Sequence, residues 1–181
     1  MKKYTTINNI ENYLLINIDS DFHSQVEIWI DSVSQYIDKE TNRNFDIIKE
    51  ERKFSGDGSN TLIIDDCLKV NSIKVNGVEI KNYFLYPENK LPKEIVKYNF
   101  FPRGEQNIII DGEWGYSNEI PSDINFVATI LVSGIIYQSL NHEGEIQSVN
   151  IGSYSVSYKS NNQWQDFNRV KEILESYKRY F

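Results

Sequence analysis

Apolar and polar positions along this chain follow two periods, helical at both ends and extended in the middle. Near the start Ile7, Ile10, Tyr13 and Leu14 recur at helical spacing, and Thr5 or Thr6 is placed to cap them, which predicts a short helix through Leu15. A loop, INIDSD, follows. Ser20 or Asp19 then caps a longer helix to about Thr41, whose apolar stripe is Phe22, Val26, Trp29, Ile30, Val33, Tyr36 and Ile37. Glu27, Asp31, Ser34, Gln35 and Asp38 fall off that stripe and should face water. The stretch TNRN ends the helix.

From Arg52 to Tyr116 the pattern shortens to that of strands. Gly56-Asp57-Gly58 and the two residues after it separate RKFS from TLIID. Asn76-Gly77 separates SIKV from VEI, and a type I′ hairpin needs positive φ at both of its central residues. Residues 83–86 and 95–98 are further short strands, divided by a loop with Pro87 and Pro92. NIIIDGEWGY, at 107–116, is a strand whose three isoleucines suggest burial on both faces.

Pro121-Ser122-Asp123 starts a third helix to about Leu140, with no charged residue from Ile124 onward. Asn125, Thr129, Ser133, Gln138 and Ser139 interrupt it, so a helix buried in protein is expected and not a membrane span. NHEGE breaks it. An alternating strand at 154–159 and an amphipathic terminal helix follow, with Phe167, Val170, Ile173, Leu174, Tyr177, Tyr180 and Phe181 on one side and Trp164 at its edge. The expected fold is α+β: a helical framework of two N-terminal helices, a buried central helix and a C-terminal helix, with an inserted β-rich antiparallel module. One domain covers residues 1–181, with residues 52–118 as the insertion and the two halves sharing a core.

Composition narrows the class. At 181 residues, 40% hydrophobic and 25% charged, the chain should fold around one core. Its net charge of −7 argues against general nucleic-acid binding through phosphate neutralisation. The charge is uneven: from Lys159 to Phe181 five bases (Lys159, Arg169, Lys171, Lys178, Arg179) outnumber three acids (Asp166, Glu172, Glu175). Such a tail could dock on an acidic neighbour, or simply complement the dipole of its own helix. Cys67 is the only cysteine, so no intrachain disulfide or cysteine metal cluster is expected. The N-terminus has no continuous apolar run and is not expected to be a signal peptide.

Catalytic constellations are not evident. His23 and His142 are far apart and read as surface residues. Asp65-Asp66 are adjacent, and Asp111 and Glu113 sit two apart on a strand. The latter pair could share a face and hold a divalent ion, as in a metal-dependent nuclease, or could be solvent-facing strand residues. Gly56-Asp57-Gly58 lacks the Lys-Ser/Thr of a phosphate loop. Trp29, Trp114 and Trp164 read as core or interface anchors. A β module binding carbohydrate is another class, with no residue that demands it.

The terminal IG-x-YS-x-x-Y strand, its polar loop and the closing VKEILESYKRYF resemble the end of the head–tail connector (adaptor, or head-completion) proteins of tailed bacteriophages. The opening helices ending in YIDKETNRNF, and the segment GEWGYSNEIPSDINFVATILVSGIIYQ, are similar to further parts of that family in the same order. The resemblance implies a structural virion protein and not an enzyme, with no cofactor and no metal. It implies a homo-oligomeric ring, usually dodecameric, in the virion neck at the capsid vertex, assembled in the host cytoplasm. That ring would lie below the portal protein, extend the DNA channel without specific DNA binding, and present a platform for a stopper or tail-completion protein. The portal contact implied is the C-terminal helix and tail: Trp164, Phe167, Val170, Lys171, Leu174, Tyr177, Lys178, Arg179, Tyr180 and Phe181. The alternatives are another phage neck or tail-completion protein and a metal-dependent enzyme using Asp111 and Glu113.

Overall fold

The computed structural model describes the backbone at residues 2–140, 148–151, 154–157 and 161–180, and side chains at residues 2–139 and 168–180. His142 and the side chains of Trp164, Phe167 and Phe181 lie outside the described residues. The chain divides into two compact units: residues 1–42 with 120–181, and residues 43–119.

The first unit is helical. Helix α1 (Ile7–Leu14) is capped by Thr6, whose side chain accepts from the Asn9 N–H at 3.2 Å, and it ends on Leu15 in the left-handed region. A 3-10 turn at Ser20–Phe22 leads into α2 (His23–Thr41), which stops at Asn42, also left-handed. Helix α3 (Ser122–Leu140) contacts α1, α2 and the terminal helix α4 (Asn161–Tyr177). Ile124, Val127, Ala128, Ile130, Leu131, Val132 and Ile136 of α3 are all buried. Val26, Ile30, Val33 and Ile37 of α2, Ile10 of α1, and Val170 and Leu174 of α4 are buried as well. Each of these valines, leucines and isoleucines contributes about 1.5–3 kcal/mol of apolar transfer. Polar bonds join the N-terminal segment to α3: Thr5 Oγ1 and Thr129 Oγ1 are 2.7 Å apart, and Asn125 Nδ2 donates to the Tyr4 carbonyl at 2.7 Å.

The second unit is a six-stranded antiparallel sheet. Its strands are β1 (Ile48–Gly56), β2 (Thr61–Val75), β3 (Val78–Glu79), β4 (Phe84–Tyr86), β5 (Lys93–Lys97) and β6 (Gly104–Trp114). They run in the order β1-β6-β2-β5-β4, with β3 paired to β2. The core holds Leu62, Ile64, Cys67, Ile73, Val75, Ile80, Val96, Phe101, Ile108, Ile110 and Trp114. Trp114 Nε1 donates to the Glu50 carbonyl at 2.9 Å, so its one polar atom is satisfied. A separate antiparallel pair, β7 (Ser148–Ile151) and β8 (Tyr154–Ser157), precedes α4.

The expected fold class needs correction. A helical framework carrying an inserted β-rich module does not describe the fold: among the described residues strands make up 30% against 38% helix, and the sheet unit has its own buried cluster. Nor is the N-terminal segment the expected pair of capped helices running up to an insertion. Asp19 caps only the 3-10 turn, accepting from the Asp21 N–H at 3.1 Å, and α2 has no side-chain cap before the chain passes into the sheet unit. The physical reason is that β2 is longer than its sequence pattern indicated. TLIID and SIKV are one strand of 15 residues, which pairs with β5 through its first half and with β6 through its second. Register shifts at Ile63/Cys67, Cys67/Lys69 and Val70/Ser72 let one strand serve both partners. Gly112 makes this feasible, because a Cβ there would lie 2.7 Å from the Lys69 carbonyl oxygen.

Two smaller expectations also change. Ser34 does not face water; it is fully buried, donating to the Ile30 carbonyl at 2.8 Å and accepting from the Tyr4 N–H at 3.1 Å. Tyr4 lies across α2 and also bonds Asp38, so a partner 30 residues away overrides the helical pattern. Ile109 is only half-buried between its neighbours Ile108 and Ile110, because β6 buries one face of an open sheet, not two.

Candidate assembly surfaces

The C-terminal residues expected at a portal contact fall into distinct environments. Val170 and Leu174 are buried, at 2% and 5% exposure, on the face of α4 that meets its own unit. Lys171 is exposed and Tyr180 is 74% exposed. Tyr177, Lys178 and Arg179 are tied down, and Tyr180 makes one bond of its own. The Tyr177 hydroxyl donates to Asp123 Oδ1 at 2.8 Å and lies 3.0 Å from Oδ2. Lys178 Nζ is 3.4 Å from Glu40 Oε1 and 3.6 Å from Glu175 Oε2, and these carboxylates raise its pKa. Arg179 is buried at 9% exposure, and its N–H donates to the Thr41 carbonyl at 2.9 Å. The Tyr180 hydroxyl donates to Glu175 Oε1 at 2.6 Å, which lowers the Glu175 pKa and raises that of the tyrosine. Asp123, Glu40 and Thr41, which hold this tail, carried no signal in the sequence, because each is an ordinary helix-end polar residue.

The sheet unit presents a second surface. Register places Ile63 opposite Ile95, and Ile95 opposite Tyr86; one step along, Thr61, Lys97 and Phe84 are aligned. Strand alternation puts both rows on the face opposite buried Leu62 and Val96. Ile63 is 53% and Phe84 63% exposed, and Lys97 Nζ lies 4.9 Å from the centroid of the Tyr86 ring. The β1–β6–β2 part of the sheet exposes charge instead, with Lys49 3.2 Å from Glu113 and Lys74 3.8 Å from Glu51. Sequence reasoning missed the exposure of both Ile63 and Phe84; three consecutive apolar residues in TLIID are the signal that could have marked an outward Ile63, and nothing comparable marks Phe84.

The chain passes into the sheet unit beside Arg43 and leaves it beside Tyr116. Arg43 Nη1 reaches Asp66 Oδ1 at 2.6 Å and Glu94 Oε1 at 3.2 Å, and the guanidinium lies 5.0 Å from the Tyr116 ring centroid. The Tyr116 N–H donates to the Asn44 carbonyl at 2.8 Å, and Phe45 packs edge-on against the Tyr116 ring. Of the adjacent acids Asp65 and Asp66, the second is therefore a buried ion-pair partner and the first an exposed one, 2.8 Å from Arg52.

Asp111 accepts from Asn71 Nδ2 at 3.1 Å, and Glu113 is paired with Lys49. Among the described residues no group of three or more His, Cys, Asp or Glu side chains could hold a metal ion. His23, at the start of α2, is half-buried with Nε2 3.1 Å from the Ile18 carbonyl oxygen. No described helix is long and apolar enough to cross a membrane.

No protein-family model matches the chain, and no curated protein matches it. Among solved structures, the fold is shared with a chain of the "Neck of empty GTA particle computed with C6 symmetry". The TM-score is 0.61 at 10% identity, over 97% of this chain and 89% of that one. At that identity the likeness is one of fold.

Proposed function

We propose that this chain is a structural protein of the neck of a phage-type particle, a ring-forming connector between portal and tail. The observation that carries the reading is the shared fold over nearly the whole length of both chains with a component of a particle neck. The resemblance of the chain's opening, central and terminal segments to connector proteins supports it independently. In this reading the chain is not an enzyme and works in the virion after assembly in the host cytoplasm, with residues 52–118 acting as a module within one connector domain.

A ring repeats one heterologous interface, in which two different faces of each subunit meet. The apolar rows on the sheet unit, with Ile63 and Phe84 exposed, form one candidate face for a neighbouring copy or for the tail-side platform. The outer side of α2 is the other. Among the described residues of the C-terminal helix and tail, those left for a portal contact are Lys171 and Tyr180, since Val170 and Leu174 serve the chain's own core. A net charge of −7 suits a channel that lets DNA slide without gripping it.

The mass of the isolated neck assembly tests this function. A ring of about twelve copies is the expected result. One or two copies per vertex would overturn it.

A further inference from the structure

The last turn of α4 and the residues just after it hold two other helix ends. Tyr177 bonds the Asp123 carboxylate, near the start of α3. Lys178 pairs with Glu40, and the Arg179 N–H donates to the carbonyl of Thr41, the last residue of α2. Thr41 stands just before the chain passes into residues 43–119, and Asp123 just after it returns. One terminal segment therefore grips both ends of the path through the sheet unit.

These contacts are separate from the ones that dock α4. The helix is anchored by Val170 and Leu174, buried one and two turns earlier. The terminal contacts are polar, and the Lys178–Glu40 pair among them is partly open to water, at 33% and 42% exposure, although Arg179 is buried. They can open without unpacking the apolar anchor. What they supply is partners for groups that fray in an isolated helix. The Thr41 carbonyl is among the last four of α2, which have no acceptor role inside the helix, and the Arg179 N–H satisfies it. Helix ends without such partners open at little free-energy cost, whereas buried helix interiors open near the global limit.

We propose that residues 177–180 form a releasable strap that holds the end of α2 and the start of α3 as one cooperative element. Any partner that takes up the terminal segment then loosens both connections to the sheet unit together. The inference stands on contacts inside the helical unit and does not depend on the neck reading.

Hydrogen exchange on the full chain tests it. The variants are Tyr177→Phe, which keeps the ring and loses the hydroxyl, and a chain ending at Ser176. In both, amides at 39–43 and at 124–126 should exchange about tenfold faster, while those at 127–136 and in β6 stay unchanged. Tyr180→Phe, which removes only the bond to Glu175, should leave both helix ends as they are. Unchanged exchange at both ends in Tyr177→Phe, or acceleration at one end alone, would overturn the proposal. Loss of protection throughout the shortened chain would overturn the claim that the strap opens apart from the core.

Discussion

Arg43, partly exposed, and the buried Asp66 form an ion pair, 2.6 Å between Nη1 and Oδ1, at side-chain exposures of 14% and 4%. Burial works to lower the Arg43 pKa, but the bonds and charges of Asp66 and Glu94 outweigh it, and the net shift is upward. Removing one partner strands the other charge in a poorly solvated site. Arg43→Ala should therefore destabilise the sheet unit by about 3–5 kcal/mol, read as a fall in denaturation midpoint by circular dichroism in the β region. Arg43→Ala with Asp66→Asn should recover part of that loss. A loss under about 1 kcal/mol for the single variant would mean the pair behaves as a surface bridge.

Gly112 lies where bulged β2 crosses close to β6. A methyl group there meets the Lys69 carbonyl oxygen at 2.7 Å and Cys67 Sγ at 3.2 Å. Gly112→Ala should cost about 1–3 kcal/mol by overpacking, although alanine ordinarily suits a strand better than glycine. Stability equal to the parent in a denaturant titration would show that the strand shifts freely.

Burial pushes the Cys67 thiol up to about 11 from an ordinary 9.0. The folded state thus keeps its proton to higher pH than the unfolded chain does. Its contribution is complete below pH 9 and is lost as pH rises from 9 toward 11, so stability should fall across that window. Tyr36, raised to about 12 by burial and then by Glu40, acts in the same direction from its ordinary 10.0 upward. Cys67→Ala should flatten the first part of the decline. At pH 8 the native thiol should react with a disulfide reagent only after unfolding.

Lys171 and Tyr180 are exposed, so Lys171→Glu with Tyr180→Ala should leave the melting temperature nearly unchanged. In the proposed neck role the same pair should lower joining to DNA-filled capsids about tenfold. Phe84→Ser with Ile63→Asn, also on exposed positions, should lower ring assembly in native mass measurements. Full joining and full assembly in both variants would remove these two surfaces from the interface.

Much of the secondary structure was legible because it rests on local chemistry. Asn76-Gly77 forms the tight β2–β3 turn with φ of 49° and 79°, a conformation few other pairs adopt without strain. The uncharged run of α3 pointed to burial, since it carries no charge to hold the helix at a water surface and most of its residues are apolar. The stripe of Val26, Ile30, Val33 and Ile37 pointed inward at helical spacing. For the candidate surfaces, pattern alone marked α4 as amphipathic but could not say which of its residues are used internally. That division follows from Asp123, Glu40 and Thr41, which lie far away in the sequence. Likewise the continuity of β2, the burial of Ser34 beneath Tyr4 and the pairing of Asp66 with Arg43 depend on residues 20 or more positions apart. Local propensity carries no term for such partners; only tertiary packing, by bringing them within bonding distance and excluding water, decides them.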